Sequence, residues 1–328
     1  MVISVLTTEA ALASLAPEWD ALWHRVPGAA PFASPYWLLP WWRQWGTSHP
    51  RVATLRRDGR LAAVLPLYVL DEPEGPKLLP MGAGTGDYLD VLAELGVDVG
   101  ALLAAALTAS PDVATCDLIE IPANGRLLDV EPPPGWCAEW RPDSACPVLM
   151  PGKGLANVPA GTRRKLRMVR HRAERADGYA VETATAETLP TLFAALVALH
   201  QARWAAAGEP GVLADPRVLA FHWAAQPGLL SAGLLRLLVL RLNDRIAASV
   251  LQLLQPGRVL FYLAGYDATL AYYSPGTLLL GWALEQAAAE EREAHFLRGA
   301  EGYKFAWGAE DRPNRACRLT CASGPHST

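Results

Sequence analysis

The sequence predicts an α/β chain with mixed (α+β) sheets, built as two domains of the same design. Three observations carry this. Two stretches, one before residue 150 and one from Tyr179 onward, each read β-α-α-β-β-β-α-β. Each holds a tight hairpin signal between apolar runs, Asp58-Gly59 in the first and Asn243-Asp244 in the second. The chain's 328 residues, 51% of them apolar, suffice for two cores of ordinary size. A repeat at half-chain period is a duplication of domains, not a solenoid.

In the first copy, "VISVLTT" is a short β-rich run. Leu12, Leu15, Trp19, Leu22 and Trp23 then recur at helical spacing. Ser34-Pro35 starts a second helix, "YWLLPWWRQW", that stops at Gly46. "RVATLRR" and "RLAAVLPLYVL" flank the Asp58-Gly59 turn, and "KLLPMG" leads into the glycine-rich loop "GAGTGDYLD". The helical "VDVGALLAAALTAS" and the strand "CDLIEIP" follow. In the second copy, "YAVETA" is a strand, and "ETLPTLFAALVALHQARWAAAG" is a helix closed by Gly208. Asp215 caps the next helix, with Pro216 at its first position. Strands follow on either side of Asn243-Asp244, and "RVLFYLAGY" comes after Pro256-Gly257. A helix from Ser274, the strand "AHFLRG", the helical "EGYKFAWG" and the strand "RACRLTC" complete it. The spans set domains at 1–150 and 179–328, joined by 151–178. Within it, residues 163–175 carry seven cations (Arg163, Arg164, Lys165, Arg167, Arg170, Arg172, Arg175) and one acid, Glu174. It reads as a solvated connecting helix, or as one that meets the phosphates of a substrate or cofactor.

Composition excludes several classes. A net charge of -4 argues against a general affinity for nucleic acid or anionic membranes. The N-terminus lacks a basic segment followed by an apolar one, and no apolar run reaches the roughly 20 residues of a membrane span. The expectation is a cytoplasmic protein. Cys116, Cys137, Cys146, Cys317 and Cys321 have no metal-ligand spacing and read as reduced packing residues. No metal is expected. No G-x-S-x-G elbow, Walker loop, zinc spacing or Rossmann fingerprint appears. Of the tryptophans, Trp19, Trp23, Trp37, Trp41, Trp42 and Trp45 read as core rather than as a platform for a sugar.

Ser274-Pro275-Gly276 stands at the start of a helix. Either Ser274 caps and Pro275 fits the first turn, or an anion sits on the free N–H groups, which Gly276 leaves open by having no Cβ.

The duplicated order, with "YSPGTLLL" and "FLRGAEGYKFAWG" near the end and "FASPYWLLPWW" and "LHQARWAAAG" before them, resembles the GNAT acyltransferases. It is similar to their CelD-like (cellulose-biosynthesis-type) branch, related to the Fem-type peptidoglycan aminoacyltransferases that also pair two GNAT-like domains. The resemblance implies an N-acyltransferase that moves an acyl group from acetyl-CoA or another acyl-CoA to an amine acceptor, an amino sugar or amino-acid-like metabolite. A polysaccharide or peptidoglycan precursor is a related candidate. It implies coenzyme A phosphates on Ser274, Gly276, Thr277 and Leu278, and Tyr303 as the acid that protonates the leaving thiolate. The chain departs from the usual GNAT pattern of a basic or Gln residue followed by spaced glycines. This leaves coenzyme A, a carrier-protein arm or an aminoacyl-tRNA as the acyl carrier. The alternatives are a Fem-type enzyme using aminoacyl-tRNA, with 163–175 as its tRNA contact, and a non-catalytic binding protein of a polysaccharide pathway.

Further candidates come from residue chemistry. Asp267, after the fourth strand, and His200 are candidate bases. Trp204 shares a helix face with His200. Arg298 and Glu301 follow the fifth strand, either holding a substrate or pairing with each other, and Lys304 binds a phosphate or faces water. In the first copy, "GTGDYLD" stands where the carrier loop would be, without the cap-proline-glycine signature. That copy is expected to lack a carrier, and its Asp87, Tyr88 and Asp90 are candidates for the acceptor.

Overall fold

Both hairpin signals form turns in which the two central residues are left-handed. Asp58 and Gly59 have φ of 53° and 79°, Asn243 and Asp244 of 47° and 62°. That is the twist a two-residue hairpin needs, and it suits Asn, Asp and Gly. In a computed structural model, which describes residues 1–46, 49–176 and 178–322, the chain forms two units. Unit 1 is Met1–Ala145 with the chain from Arg312 on; unit 2 is Cys146–Asp311.

Unit 1 begins with β1 (Val2–Leu6), α1 (Glu9–Ser14), α2 (Ala16–Arg25) and α3 (Pro35–Trp45). The helical pattern over 9–25 breaks at Leu15. Pro17 lacks an N–H and fits only the first turn of a new helix. Next come β2 (Pro50–Arg57), β3 (Arg60–Leu70), β4 (Lys77–Pro80), β5 (Leu92–Ala93), α4 (Val99–Thr108), β6 (Thr115–Ile121) and β7 (Trp136–Pro142). Unit 2 holds β8 (Pro147–Leu149), α5 (Ala160–Glu174), β9 (Tyr179–Thr183), α6 (Leu189–Ala206) and α7 (Pro216–Ser231). It continues with β10 (Leu235–Leu242), β11 (Arg245–Gln255), β12 (Arg258–Tyr266), α8 (Pro275–Ala289), β13 (Glu293–His295), α9 (Gly302–Ala306) and β14 (Glu310–Asp311). The chain then enters β15 (Arg315–Cys321).

The sheets run β1-β2-β3-β4-β6-β15-β7 and, read in the same sense, β9-β10-β11-β12-β13-β8-β14. In each, the first four strands are antiparallel and the fourth meets the fifth in parallel, β4 with β6 and β12 with β13. The duplication expected from the sequence is therefore real at the level of topology. Five of the six singled-out tryptophans are buried; Trp45 is half-buried and stacks on Trp41 at 5.8 Å.

Two expectations change. β15 does not complete the second domain. It lies between β6 and β7 of unit 1, with Ala316, Cys317 and Leu319 buried there. The matching place beside β13 is already taken by β8, which precedes α5 in the chain. The expected 179–328 domain thus loses its last strand to unit 1. The basic stretch is also no free connector: Leu166, Val169 and Ala173 of α5 lie in the core of unit 2, and Arg170 forms a two-pronged pair with Glu285 of α8. Leu166 sits against Gly281, where a Cβ would come within 2.5 Å of it, so α5 packs tightly on α8.

Leu319→Ala removes a side chain that is 2% exposed, and a cost of about 2–5 kcal/mol is expected. The loss should fall on unit 1. Hydrogen exchange should quicken across β6 and β7 while β10, β11 and β12 keep their protection. Even loss of protection in both units would refute the assignment of this strand.

Candidate functional site

The parallel junction of unit 2 opens into a wedge. β12 pairs with β13 only at Arg258, Val259 and Leu260; from Phe261 to Tyr266 it is hydrogen-bonded to β11 alone. A bulge explains the divergence. Leu251 faces Leu263 and Gln252 faces Phe261, which leaves Tyr262 as an extra residue that bends β12. On the other side, β13 turns toward β8, and Phe296 N donates to Pro147 O at 2.9 Å. Phe261 and Phe296 stack at 5.4 Å across the opening. The carboxyl ends of neighbouring parallel strands are where open α/β sheets hold ligands.

The start of α8 lies just past the end of β12. Ser274 is left-handed, with φ of 47°, and its hydroxyl does not cap; Oγ donates back to Ala271 O at 3.3 Å. The plain capping reading is therefore wrong for this side chain. The Ser274 carbonyl accepts from Thr277 N and Leu278 N at 2.9 and 3.1 Å. Leu278 is buried. Of the expected cofactor-binding set, this leaves the Gly276 N–H without a partner among the described residues. A Cβ on Gly276 would come 3.2 Å from Cδ1 of Tyr266. An uncapped helix start with an open N–H favours an anion.

Beyond β13, the loop to α9 is fastened by Lys304. Its side chain is 3% exposed, and Nζ donates to the carbonyls of Leu297, Arg298 and Gly299 at 3.2, 2.8 and 2.9 Å and pairs with Glu301 Oε2 at 2.8 Å. Lys304 therefore neither faces water nor reaches a phosphate. Glu301 pairs with it through Oε2 and lies against Gly299, and the backbone of Arg298 is one of its acceptors. Lys304 is not left to bind substrate. Tyr303 points the other way. It is 46% exposed and meets Phe296 edge-on at 6.3 Å, which puts it at the wedge. Partial burial and the Glu301 carboxylate push its phenol above the usual range, against the pull of Arg203. It stays protonated at neutral pH.

Neither candidate base suits the role. Asp267 caps the turn that leads to α8: Oδ1 accepts from Thr269 N and Oγ1 at 2.9 and 2.6 Å, and Oδ2 pairs with Arg245 at 2.7 Å. The hydrogen bond from Thr269 holds this carboxyl below its ordinary range, so it is a poor base. His200 is 4% exposed, and burial, helped by Arg203, pushes it down to about 4. Its backbone lies on β12: a Cβ on Gly265 would come 2.6 Å from His200 N. Trp204 is half-buried beside it at 6.0 Å and packs on Gly211. Sequence reasoning passed over Arg203, whose guanidinium carbon lies 5.4 Å from the Tyr266 ring centre and 5.5 Å from that of Trp204. An arginine beside a tryptophan on a helix gives no signal until the fold brings Tyr266 to it.

The candidates of unit 1 are built into its structure. Asp87 and Tyr88 are buried, and the Asp87 carbonyl accepts from Asn314 Nδ2 at 2.7 Å. Asp90 accepts from the backbone N–H groups of Val91, Arg126 and Leu127; burial raises its carboxyl, although these bonds oppose it. Expected to bind the acceptor, all three instead organise the loop after β4. Met81, Tyr88 and Leu89 are buried there and line a pocket with Leu118 and Ile119 of β6, and Leu89 N donates to Glu120 O at 2.9 Å. α4 begins with Asp98, whose carboxylate caps Ala101 N at 3.0 Å. A negative charge already occupies that helix start.

Residues 160–305 match the family model of the acetyltransferase (GNAT) domain. The fold is two GNAT-like domains in tandem. No curated protein matches the sequence. Among solved structures, FemX is similar with a TM-score of 0.66 and 13% identity, over 97% of each chain. A conserved protein of unknown function from Bacteroides thetaiotaomicron VPI-5482 gives 0.63 and 12%, over 97% of this chain and 100% of its own. The C-terminal DUF2156 domain of a candidate lysylphosphatidylglycerol synthetase from Agrobacterium fabrum gives 0.56 and 13%, over 93% and 91%. At these identities what is shared is the fold. Among the described residues, no cluster of His, Cys, Asp or Glu could hold a metal, and no helix is long and apolar enough to cross a membrane.

His200 and His222 set a pH dependence. Burial lowers them from 6.5 to about 4 and about 3. The unfolded chain therefore binds more protons than the folded one below about pH 6.5, and stability falls as the pH falls from there toward 4. Each histidine contributes a slope of at most about 1.4 kcal/mol per pH unit. Denaturant titrations across this window should show a shallower slope for His200→Gln than for the wild type. Identical slopes would mean that His200 titrates as if exposed.

Proposed function

We propose that the chain is a GNAT-type N-acyltransferase that takes an acyl group from acyl-CoA and passes it to an amine, in the manner of the CelD-like branch. The amine is an amino sugar or an amino-acid-like metabolite. One observation carries the reading: the wedge between β12 and β13 opens at a helix start with no side-chain cap and an unpartnered Gly276 N–H. The first copy, whose helix is capped by Asp98, lacks the open helix start and is read as carrying no acyl donor.

The donor supplies an activated thioester. On the protein side, the Gly276 N–H and the dipole of α8 hold a phosphate. The free edge of β12 from Phe261 to Tyr266 offers backbone groups to an extended, amide-bearing arm, as a sheet edge does to an added strand. Tyr303, kept protonated, gives its proton to the leaving sulfur. Asp267 and His200 are unsuited as bases, so the acceptor amine loses its proton to water.

A second reading has one observation behind it. Arg164, Lys165, Arg167 and Arg175 project from the exposed side of α5, as an RNA contact of a Fem-type, aminoacyl-tRNA-dependent transferase would.

Gly276→Val tests the donor site. The new side chain must displace the Tyr266 ring by a few tenths of an ångström, and that ring, 37% exposed, has room to yield. Melting temperature should change little while calorimetric affinity for acyl-CoA falls at least about tenfold, or ~1.4 kcal/mol. Equal affinities would remove α8 from the donor site. No coenzyme A binding in the wild type, with salt-sensitive tRNA binding instead, would select the second reading.

Tyr303→Phe should lower kcat by about 10²–10⁴-fold, the range of general acid–base catalysis, with donor affinity unchanged. Unaltered turnover would reduce Tyr303 to packing.

A further inference from the structure

Several half-buried arginines of unit 2 are paired with acids: Arg170 with Glu285, Arg236 with Glu290, Arg241 with Glu182, Arg258 with Glu293. Arg203 is half-buried as well. Among the described residues it makes no ion pair and no hydrogen bond. What holds it is the aromatic pair Tyr266 and Trp204. Such contacts are worth about 0.5–2 kcal/mol and leave the edge of the guanidinium unused. The nearby acid, Glu301, pairs with Lys304. The result is a planar, permanently charged fork, stiffened by two rings, with its donors unspent. That geometry matches a carboxylate or a phosphoryl group.

Its place says which substrate would bring that group. Tyr266 ends β12 and has its Cδ1 against Gly276, where the proposed donor phosphate lies. Arg203 belongs to α6, which covers a face of the sheet with Leu199 and His200 on Gly265. The donor arm, lying along the free edge of β12, runs in the plane of the sheet. A nucleophile attacks a carbonyl from outside the carbonyl's plane, so the acceptor comes over a face. Arg203 stands on such a face and acts on the same phenol, Tyr303, that serves the leaving sulfur.

We infer that Arg203 holds an oxyanion, a carboxylate or a phosphoryl group, carried by the amine acceptor, and that the acceptor is therefore an anionic amine. This rests on the acyltransferase reading, which supplies the donor's position. The neutral amino sugars allowed by that reading are excluded by this one.

The test is protection of Arg203 against phenylglyoxal, read by mass spectrometry of the peptide that carries it. Inorganic phosphate, acetate and coenzyme A are the three protectants, each with the full chain, and chloride is the control. Phosphate or acetate should slow labelling about fivefold or more at concentrations well above its Kd. Which of them does so tells a phosphoryl acceptor from a carboxylate one. Coenzyme A, at a concentration that saturates the donor site in calorimetry, should leave labelling unchanged. If coenzyme A protects as well as the small anions, Arg203 belongs to the donor and the inference falls. It falls too if neither anion protects. A failure of coenzyme A to bind at all, with protection by anions intact, would strike the acyltransferase reading and leave Arg203 as an anion site.

Discussion

The ammonium of Lys304 is the interaction on which the candidate site of unit 2 depends. A lysine amine 2% exposed is tolerable only when all its protons are used, and here three successive carbonyls and one carboxylate take them. The loop it gathers needs this help. Leu297 has φ of 58°, a strained value for a side chain branched beyond Cβ, and Gly299 has φ of 107°. With that loop tied, α9 starts at a fixed angle after β13. Tyr303, one residue earlier than the lysine, is thrown to the opposite side of the turn and onto Phe296. The acid of the proposed reaction is thus aimed by a neighbour that never reaches substrate.

The two copies differ at the same place in one topology. Both have a parallel junction between the fourth and fifth strands, and both leave a gap there. In unit 1 Met81, Tyr88 and Leu89 are buried beside these strands, and the following helix carries its own carboxylate cap. In unit 2 a bulge at Tyr262 bends the strand away, and a serine that does not cap leaves the helix start open. The difference lies in a few loop residues on a conserved frame of strands. This is why fold alone does not fix chemistry.

Much of this frame was legible in the sequence. Hairpin turns, apolar periodicity and the tryptophans of α2 and α3 are local signals, and they placed the elements and the duplication. The destination of β15 was not legible, because "RACRLTC" alternates as well for one sheet as for another and its pairing is settled more than 170 residues away in the chain. β7 and β8 were missed for a similar reason: "WCAEWRP" and "PVL" are short and flanked by prolines, and strand neighbours alone define them. At the site, Tyr303 and Gly276 stood out by position. Lys304 read as a phosphate ligand or a surface cation because its partners are mostly carbonyls, which every residue has. Asp267 and His200 read as bases because burial and capping do not show in residue type. Arg203 gave no signal, since its two rings come from different elements.

The path of the chain has a consequence for the order in which the protein can be made. Unit 2 is one unbroken stretch, and everything it needs has left the ribosome once Asp311 is out. Most of unit 1 precedes unit 2 in the chain, yet it lacks the strand between β6 and β7 until β15, which follows unit 2, emerges. The part synthesised first is therefore finished last. For the whole time that unit 2 is being translated, the edge of β6 stands open, a strand edge able to pair with the wrong partner. The strand beyond β15 in the finished sheet, β7, mostly alternates half-buried and exposed residues along its length, a pattern that suits an outer strand and makes a poor template for aggregation while the chain waits.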